Sequence, residues 1–315
     1  MPLPTIRAAL LALVRVAPAH AVPAPASDIG AYALPNGQAK VSATLALVPA
    51  ALVPAALVPA ARGAPPNAYV LDVAMTPLGG SQPVTRHNVE LSKRLHLIAV
   101  SGDLRTFVHE HGDKPDARGH FRIAMTLPHS GLWHVYADAM PAGLGQQVMR
   151  FDLDLDGTGM PSPSAPAPQP TGLEGAEGSY SVRFDALNLQ GGQEAELRLR
   201  ILRDGRPAPD LTPYLGVAAH AVIIAAADLT YVHAHAAPTA APAAGGTGAA
   251  MQRDLTGKAD MDMPGMAGAP MRPGTKVPPD LTLHVRAPKA GTYLLWLQFM
   301  AGGQVRTVPF VVAVT

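Results

Sequence analysis

The sequence of 315 residues contains no cysteine. This absence excludes disulfides, thiolate zinc sites, iron–sulfur clusters, blue-copper sites and cysteine nucleophiles, because each of them requires a thiol or thiolate. Any metal site must therefore use histidine, methionine or carboxylate ligands. Net charge is also small, since 24 Lys and Arg against 23 Asp and Glu give a formal value of +1. Charge therefore indicates neither a nucleic acid nor an anionic membrane as partner.

Long apolar runs and the common catalytic motifs are missing as well. No segment approaches the roughly 20 apolar residues that span a bilayer, and the apolar stretch LALVPAALVPAALVPA carries proline at every fifth position. The chain has no Gly-rich phosphate loop, no G-x-S-x-G elbow and no HExxH motif. We therefore expect no membrane span and no enzymatic activity. An exported enzyme would require a substrate pocket between domains.

Proline and glycine are abundant, with 33 and 30 residues respectively. This content interrupts long helices and favours short strands joined by turns. The C-terminal half contains seven short apolar or alternating runs, among them EAELRLRIL, TYVHAHA and TYLLWLQF. The predicted fold is therefore all-β, with two tandem immunoglobulin-like β-sandwich modules, a disordered N-terminal tail and disordered linkers.

The N-terminus has the features of an export signal. Arg7 precedes the apolar run AALLALV, and Ala19-His20-Ala21 is a plausible cleavage site. We predict a signal peptide at residues 1–21 and a periplasmic or secreted protein. Because Arg15 shortens the apolar run, an unprocessed tail is the alternative. Residues 22–66 are predicted to be a low-complexity Ala/Pro tether.

Two segments of the chain repeat one histidine spacing, P-x12-H-x12-H-x-H. The residues are Pro83, His96, His109 and His111 in the first copy and Pro207, His220, His233 and His235 in the second. Residues 131–143, GLWHVYADAMPAG, also align without a gap to residues 291–303, GTYLLWLQFMAGG. We predict module 1 at residues 67–157, a linker at 158–178 and module 2 at 179–315, with a Met-rich insertion at 236–279.

The repeated histidines suggest metal binding. Alternate side chains of a strand point to the same face, so each H-x-H pair projects together and can chelate one ion. Spacing does not decide whether His96 reaches its pair. Three imidazoles suit copper or zinc, and copper has the higher intrinsic affinity. Asp103 and Asp228 are candidate hydrogen-bond partners of the ligands. The alternative is that the histidines only stabilise paired strands.

The insertion adds soft ligands. It contains Met261, Met263, Met266 and Met271 among Gly, Pro and Asp, with no apolar periodicity that would bury them. Thioethers select Cu(I), so we predict an auxiliary copper-capture arm. Compositional drift in a Gly-, Ala- and Pro-rich tract is the alternative explanation.

The text of both copies resembles an uncharacterised family of exported bacterial two-module proteins. The resemblance rests on PVT at 83–85, KRLH at 93–96, DLRTFVHEH at 103–111 and GLWHVYADAMPAG, and on DGRPAPDLTPYLGVAAHAVII and DLTYVHAH in the second copy. The chain departs from the family pattern at Gly112 and Ala236, where proline is usual after H-x-H. The resemblance implies copper or heavy-metal handling.

These observations together predict an exported copper-binding protein that buffers or delivers the ion, with zinc as a possible alternative metal. The competing hypothesis is a structural or interaction module of the cell envelope whose partner is another envelope protein. It predicts no stoichiometric metal.

Overall fold

The computed structural model describes residues 39–53, 67–90, 92–155, 169–239 and 270–315. The predicted signal peptide and the methionines Met261, Met263 and Met266 lie outside these residues. Within them, the regular structure consists of β-strands and one short 3-10 helix, Ala50–Leu52. No helix in these ranges has the length and apolarity to cross a membrane. The prediction of an all-β chain with two immunoglobulin-like sandwich modules is confirmed.

The first module is a sandwich of two antiparallel sheets. Its strands are β1 (Val41–Pro49), β2 (Ala68–Pro77), β3 (His87–Asn88), β4 (Leu95–Ser101), β5 (Phe107–Gly112), β6 (His120–Thr126), β7 (Leu132–Pro141) and β8 (Gln147–Asp154). One sheet has the order β1-β2-β6, and the other has the order β3-β7-β4-β5 with β8 beside β7. The core between the sheets includes the fully buried Leu71, Leu97 and Trp133.

Part of the predicted tether belongs to this sandwich, which corrects the boundary at residues 22–66. Val41–Pro49 forms β1 and pairs with β2 along its whole length, from Val41 opposite Pro77 to Pro49 opposite Tyr69. The sequence VSATLALVP supports a strand because Val41 is buried in the core, while most of its other side chains are partly covered. The segment was predicted to be a tether because it repeats the sequence Ala-Leu-Val-Pro.

The second module is built from a single ten-stranded sheet that curls around one core. Its strands are β9 (Glu174–Glu177), β10 (Tyr180–Phe184), β11 (Glu194–Arg203), β12 (Arg206–Pro207), β13 (Leu211–Thr212), β14 (Ala219–Ala225), β15 (Tyr231–Pro238), β16 (Asp280–Arg286), β17 (Gly291–Ala301) and β18 (Gln304–Val314). The two ends of the sheet meet where the Thr307 backbone N–H of β18 donates to the Glu177 carboxylate of β9 at 2.6 Å. This closure gives the module its two facing layers.

Two other predicted boundaries also change. β9 occupies part of the predicted linker at 158–178. It pairs with β10 and therefore belongs to the sheet of the second module. The insertion at 236–279 loses both of its ends, because β15 continues to Pro238 and Val277 is buried in the module core. The backbone N–H of Val277 donates to the Leu211 carbonyl, which ties this end to β13.

The two modules pack against each other through strands that are buried on both faces. In β4, Leu95, Leu97 and Ala99 face the core of their own module, whereas Ile98 and Val100 belong to a separate apolar cluster. That cluster also contains residues of the second module, namely Val222, Ile224, Tyr231, Leu294 and Trp296. The histidines of β4 and β14 alternate with the core residues, so they point into the interface as well.

Two pairs of aromatic rings stack across this interface, each pair with one ring from each module. Phe107 of β5 stacks on Trp296 of β17 with ring centroids 5.0 Å apart, and Tyr136 of β7 stacks on Tyr231 of β15, also at 5.0 Å. In the alignment of the two copies, Phe107 corresponds to Tyr231 and Tyr136 corresponds to Trp296. The modules are therefore related by an approximate two-fold axis through the interface.

Candidate metal centre

The strand register brings the three histidines of each module together. In the first module His96 lies opposite His111 and Ile98 lies opposite His109. In the second module His220 lies opposite His235 and Val222 opposite His233. Two side chains of one strand and one of its neighbour therefore share a face. His96 and His220 do reach the H-x-H pairs, which the spacing alone left open.

Each set forms a compact group. We name His96, His109 and His111 the first histidine group, and His220, His233 and His235 the second histidine group. In each group three ring nitrogens, one per residue, lie within 4.8 Å of one another. His109 and His111 keep partial solvent exposure, whereas the whole second group is buried. The first group is therefore the more open of the two.

The two groups are adjacent across the module interface. The ring centroid of His96 lies 4.9 Å from that of His233 and 6.0 Å from that of His220. The rings of His109 and His233 are 6.1 Å apart. The six side chains therefore form one assembly, which we call the histidine cluster.

Several ring nitrogens of the cluster are buried without a hydrogen-bond partner. They are Nε2 of His96, Nε2 of His111, Nδ1 of His233 and Nε2 of His235. Buried polar atoms are normally paired, because leaving one unpaired costs about 1–3 kcal/mol. These four nitrogens make the cluster the candidate binding site among the described residues.

The second group contains a chain of close polar contacts that runs from Tyr214 to Asp138. The Tyr214 carbonyl lies 3.0 Å from Nε2 of His220 and can only accept, so this nitrogen carries the proton and Nδ1 has a free lone pair. Nδ1 of His220 faces Nε2 of His233 at 3.2 Å. The other nitrogen of His233 lies 3.4 Å from the Asp138 carboxylate. A neutral His233 has one proton for these two neighbours, so one lone-pair repulsion persists unless a proton or metal ion is present.

Burial favours the neutral form of five of the six histidines. Burial, followed by the charge of neighbouring histidines, lowers the pKa of His96, His109, His220 and His235 well below 6.5. Burial also lowers the pKa of His111 to about 4. Neutral imidazole is the form that coordinates metal ions.

The side chains that lie behind the histidines come from the opposite module. Nδ1 of His109 donates to Oε1 of Gln298 at 2.6 Å. This bond leaves Nε2 of His109 facing Nδ1 of His96 at 3.3 Å. Asp138 occupies the corresponding place beside His233, with its carboxylate 3.4 Å from Nδ1, but this contact is an ion-pair contact and not a hydrogen bond. The sequence analysis did not select Asp138 or Gln298, although both lie in the gap-free alignment of residues 131–143 with 291–303.

The prediction that Asp103 and Asp228 hydrogen-bond the ligands is wrong. The Asp103 carboxylate accepts bonds from the Ser101 hydroxyl and the Arg105 backbone N–H. The Asp228 carboxylate accepts bonds from Thr230 and from the Lys289 ammonium group. Both aspartates stabilise the turn that precedes the H-x-H strand.

One of the four predicted methionine ligands lies in the described residues. Met271 packs against the core of the second module, and its backbone N–H donates to the Gly216 carbonyl at 2.8 Å. Its role as a copper ligand stays a prediction, as do the roles of Met261, Met263 and Met266.

Comparison with known proteins adds a family match and a likeness of fold. Residues 174–315, which form the second module, match a family described as a domain of unknown function (DUF8832). No curated protein matches the chain. The FdeC adhesin of Escherichia coli is 10% identical, with 79% of this chain and 60% of that chain covered and a TM-score of 0.22. Invasin, a bacterial integrin-binding protein, is 12% identical, with 85% of this chain and 39% of that chain covered and a TM-score of 0.20. This chain spans less than two thirds of either protein, and at such TM-scores the likeness carries no functional inference.

Proposed function

We propose that this protein binds copper in the histidine cluster and buffers or delivers the ion in the cell envelope. The observation that carries this proposal is the set of four buried ring nitrogens that make no hydrogen bond, in two groups whose nitrogens lie within 4.8 Å. One of the four, Nδ1 of His233, lies 3.4 Å from the Asp138 carboxylate. Imidazole is a good ligand for both copper and zinc, and copper is favoured by intrinsic affinity. Bound copper would be held by neutral imidazoles, and the partial exposure of His109 and His111 gives it a side from which to enter.

The alternative is an interaction module in which the histidines only join the two modules. The ring contacts of His96 with His220 and His233 across the interface favour this alternative, because they are packing contacts in their own right. Its partner would be another protein of the envelope. The two hypotheses differ in one measurable quantity, the amount of metal that the protein retains.

The test is elemental analysis of the untagged protein after loading with Cu(II), Cu(I) or Zn(II) and extensive desalting. We expect about one or two tightly held copper ions per chain. Substituting His109 and His111 together by Ala should abolish copper binding at the first histidine group and preserve the circular dichroism spectrum. The matched control is His129→Ala, because His129 is an exposed histidine that bonds Thr106 and lies outside the cluster. Wild-type protein that retains no metal would contradict the proposal and leave the interaction module.

A further inference from the structure

The two histidine groups differ in the charge of the side chain behind them. Asp138 lies opposite His96 in the register of β7 with β4, and Gln298 lies opposite His220 in the register of β17 with β14. The two residues therefore occupy equivalent positions, one a carboxylate and the other a neutral amide. Each contacts the middle histidine of the other module: Asp138 is near His233, and Gln298 accepts from His109.

The oxygens of Asp138 are placed as hydrogen-bond acceptors. Its side chain is fully buried and accepts hydrogen bonds from Nε2 of Gln146, at 2.9 and 3.1 Å, and from the Tyr231 hydroxyl at 3.1 Å. Both donors are neutral. In the part of the chain that the structure describes, the ion-pair partner of Asp138 is His233. The Asp138 carboxylate is therefore directed at the second histidine group.

A second buried carboxylate, Glu90, interacts with both Asp138 and His233, but its raised pKa leaves it only partly charged near neutral pH. Glu90 is buried, and neither of its oxygens has a hydrogen-bond partner. Burial and the charge of Asp138 raise the pKa of Glu90 to about 7. The first histidine group faces the uncharged Gln298 in the corresponding position.

We infer that Asp138 makes the second histidine group the first site to be filled by a divalent ion, with the first histidine group as the weaker site. This inference rests on the proposed metal binding. A carboxylate 3.4 Å from a ligating imidazole favours a cation bound to that ring, and removing an outer partner of a ligating histidine weakens metal binding by about 10- to 100-fold. The second divalent ion also meets the charge of the first across adjacent rings, which separates the two affinities further. Asp138 and Gln298 act as positioning residues.

The first experiment identifies the preferred group in the wild-type protein. Zn(II) is added in substoichiometric amounts, and the ring signals of the six histidines are followed by long-range 15N–1H NMR. We expect the signals of the second histidine group to change first. Earlier or simultaneous changes in the first histidine group would overturn the inference while leaving metal binding intact. Wild-type protein that binds neither zinc nor copper would overturn the proposed function itself, and with it this inference.

The second experiment exchanges the charge between the two positions with isosteric substitutions. Zn(II) affinity is measured by competition with a chromophoric chelator in D138N and Q298E. We expect D138N to weaken the tightest site by about 10- to 100-fold and Q298E to tighten the weaker site. A change of less than about threefold in both variants would overturn the inference, because such second-layer partners normally have larger effects. If D138N does not fold, as judged by circular dichroism, Q298E and the NMR titration decide the question.

Discussion

The charge of Asp138 predicts an unequal effect of two matched tyrosine substitutions at the module interface. Tyr231 and Tyr136 stack on each other, both are buried, and the hydroxyl of each bonds to the opposite module. The Tyr231 hydroxyl donates to the Asp138 carboxylate at 3.1 Å, and the Tyr136 hydroxyl donates to the Leu229 carbonyl at 2.8 Å. Burial raises the pKa of both tyrosines, so both hydroxyls keep their protons and act as donors.

The expected costs follow from the acceptor of each bond. A hydrogen bond to a charged group contributes about 1.5–3 kcal/mol to stability, and one between neutral groups contributes about 0.5–1.5 kcal/mol. Phenylalanine preserves the stacked ring in both cases. We therefore expect Tyr231→Phe to lower the free energy of unfolding by about 2 kcal/mol and Tyr136→Phe by about 1 kcal/mol.

The assay is urea unfolding of metal-free protein at pH 7, followed by tryptophan fluorescence. The chain has 2 tryptophans, Trp133 in the first module and Trp296 in the second, so both modules report. An unchanged dependence on urea concentration would show that the substitutions alter stability and not the unfolded state. If Tyr231→Phe costs no more than Tyr136→Phe, Asp138 is not an ionised acceptor and the charge difference between the two histidine groups is refuted.

Two further substitutions test the packing around the first module. Burial, then the charge of Arg94, lowers the pKa of His87 to about 4. The contribution of the neutral side chain to the stability of the folded state is therefore complete above pH 6.5, and this contribution is lost as the pH falls towards 4. Between pH 7 and 4.5 the free energy of unfolding of the wild type should fall by about 2 kcal/mol more than that of His87→Leu, allowing for solvent screening at this edge strand. Equal decreases, measured by urea unfolding, would contradict this prediction. A Cβ at Gly112 would lie 2.6 Å from Cδ1 of Phe121. Gly112→Ala should cost about 1–3 kcal/mol in thermal unfolding, whereas Gly172→Ala, in open space, should be close to neutral.

The local parts of the candidate site were predictable from the sequence. Alternation along a strand places His109 and His111 on one face, and this property needs no knowledge of the rest of the chain. The apolar pattern also allowed the strands of β4 and β14 to be recognised. LHLIAV and HAVII are also apolar on both faces, apart from one histidine in each. A strand of this kind is covered on both sides, which indicates a packed partner.

The contacts between the modules were not predictable in this way. Asp138 meets His233 and Gln298 meets His109 only because the two modules face each other about an approximate two-fold axis. Strand periodicity describes each module separately and does not encode their mutual orientation. The prediction instead selected the turn residues Asp103 and Asp228, which are near the histidines in sequence and bond to their own turns in the structure.

Each histidine group contacts one side chain that belongs to the other module. Each copy carries its own three histidines, but the side chain that contacts the middle histidine is encoded in the other copy, at Asp138 or Gln298. A copy that is excised, or recombined with an unrelated neighbour, would preserve its histidines and lose this contact. Substitutions at these two positions therefore alter a site in the other half of the gene.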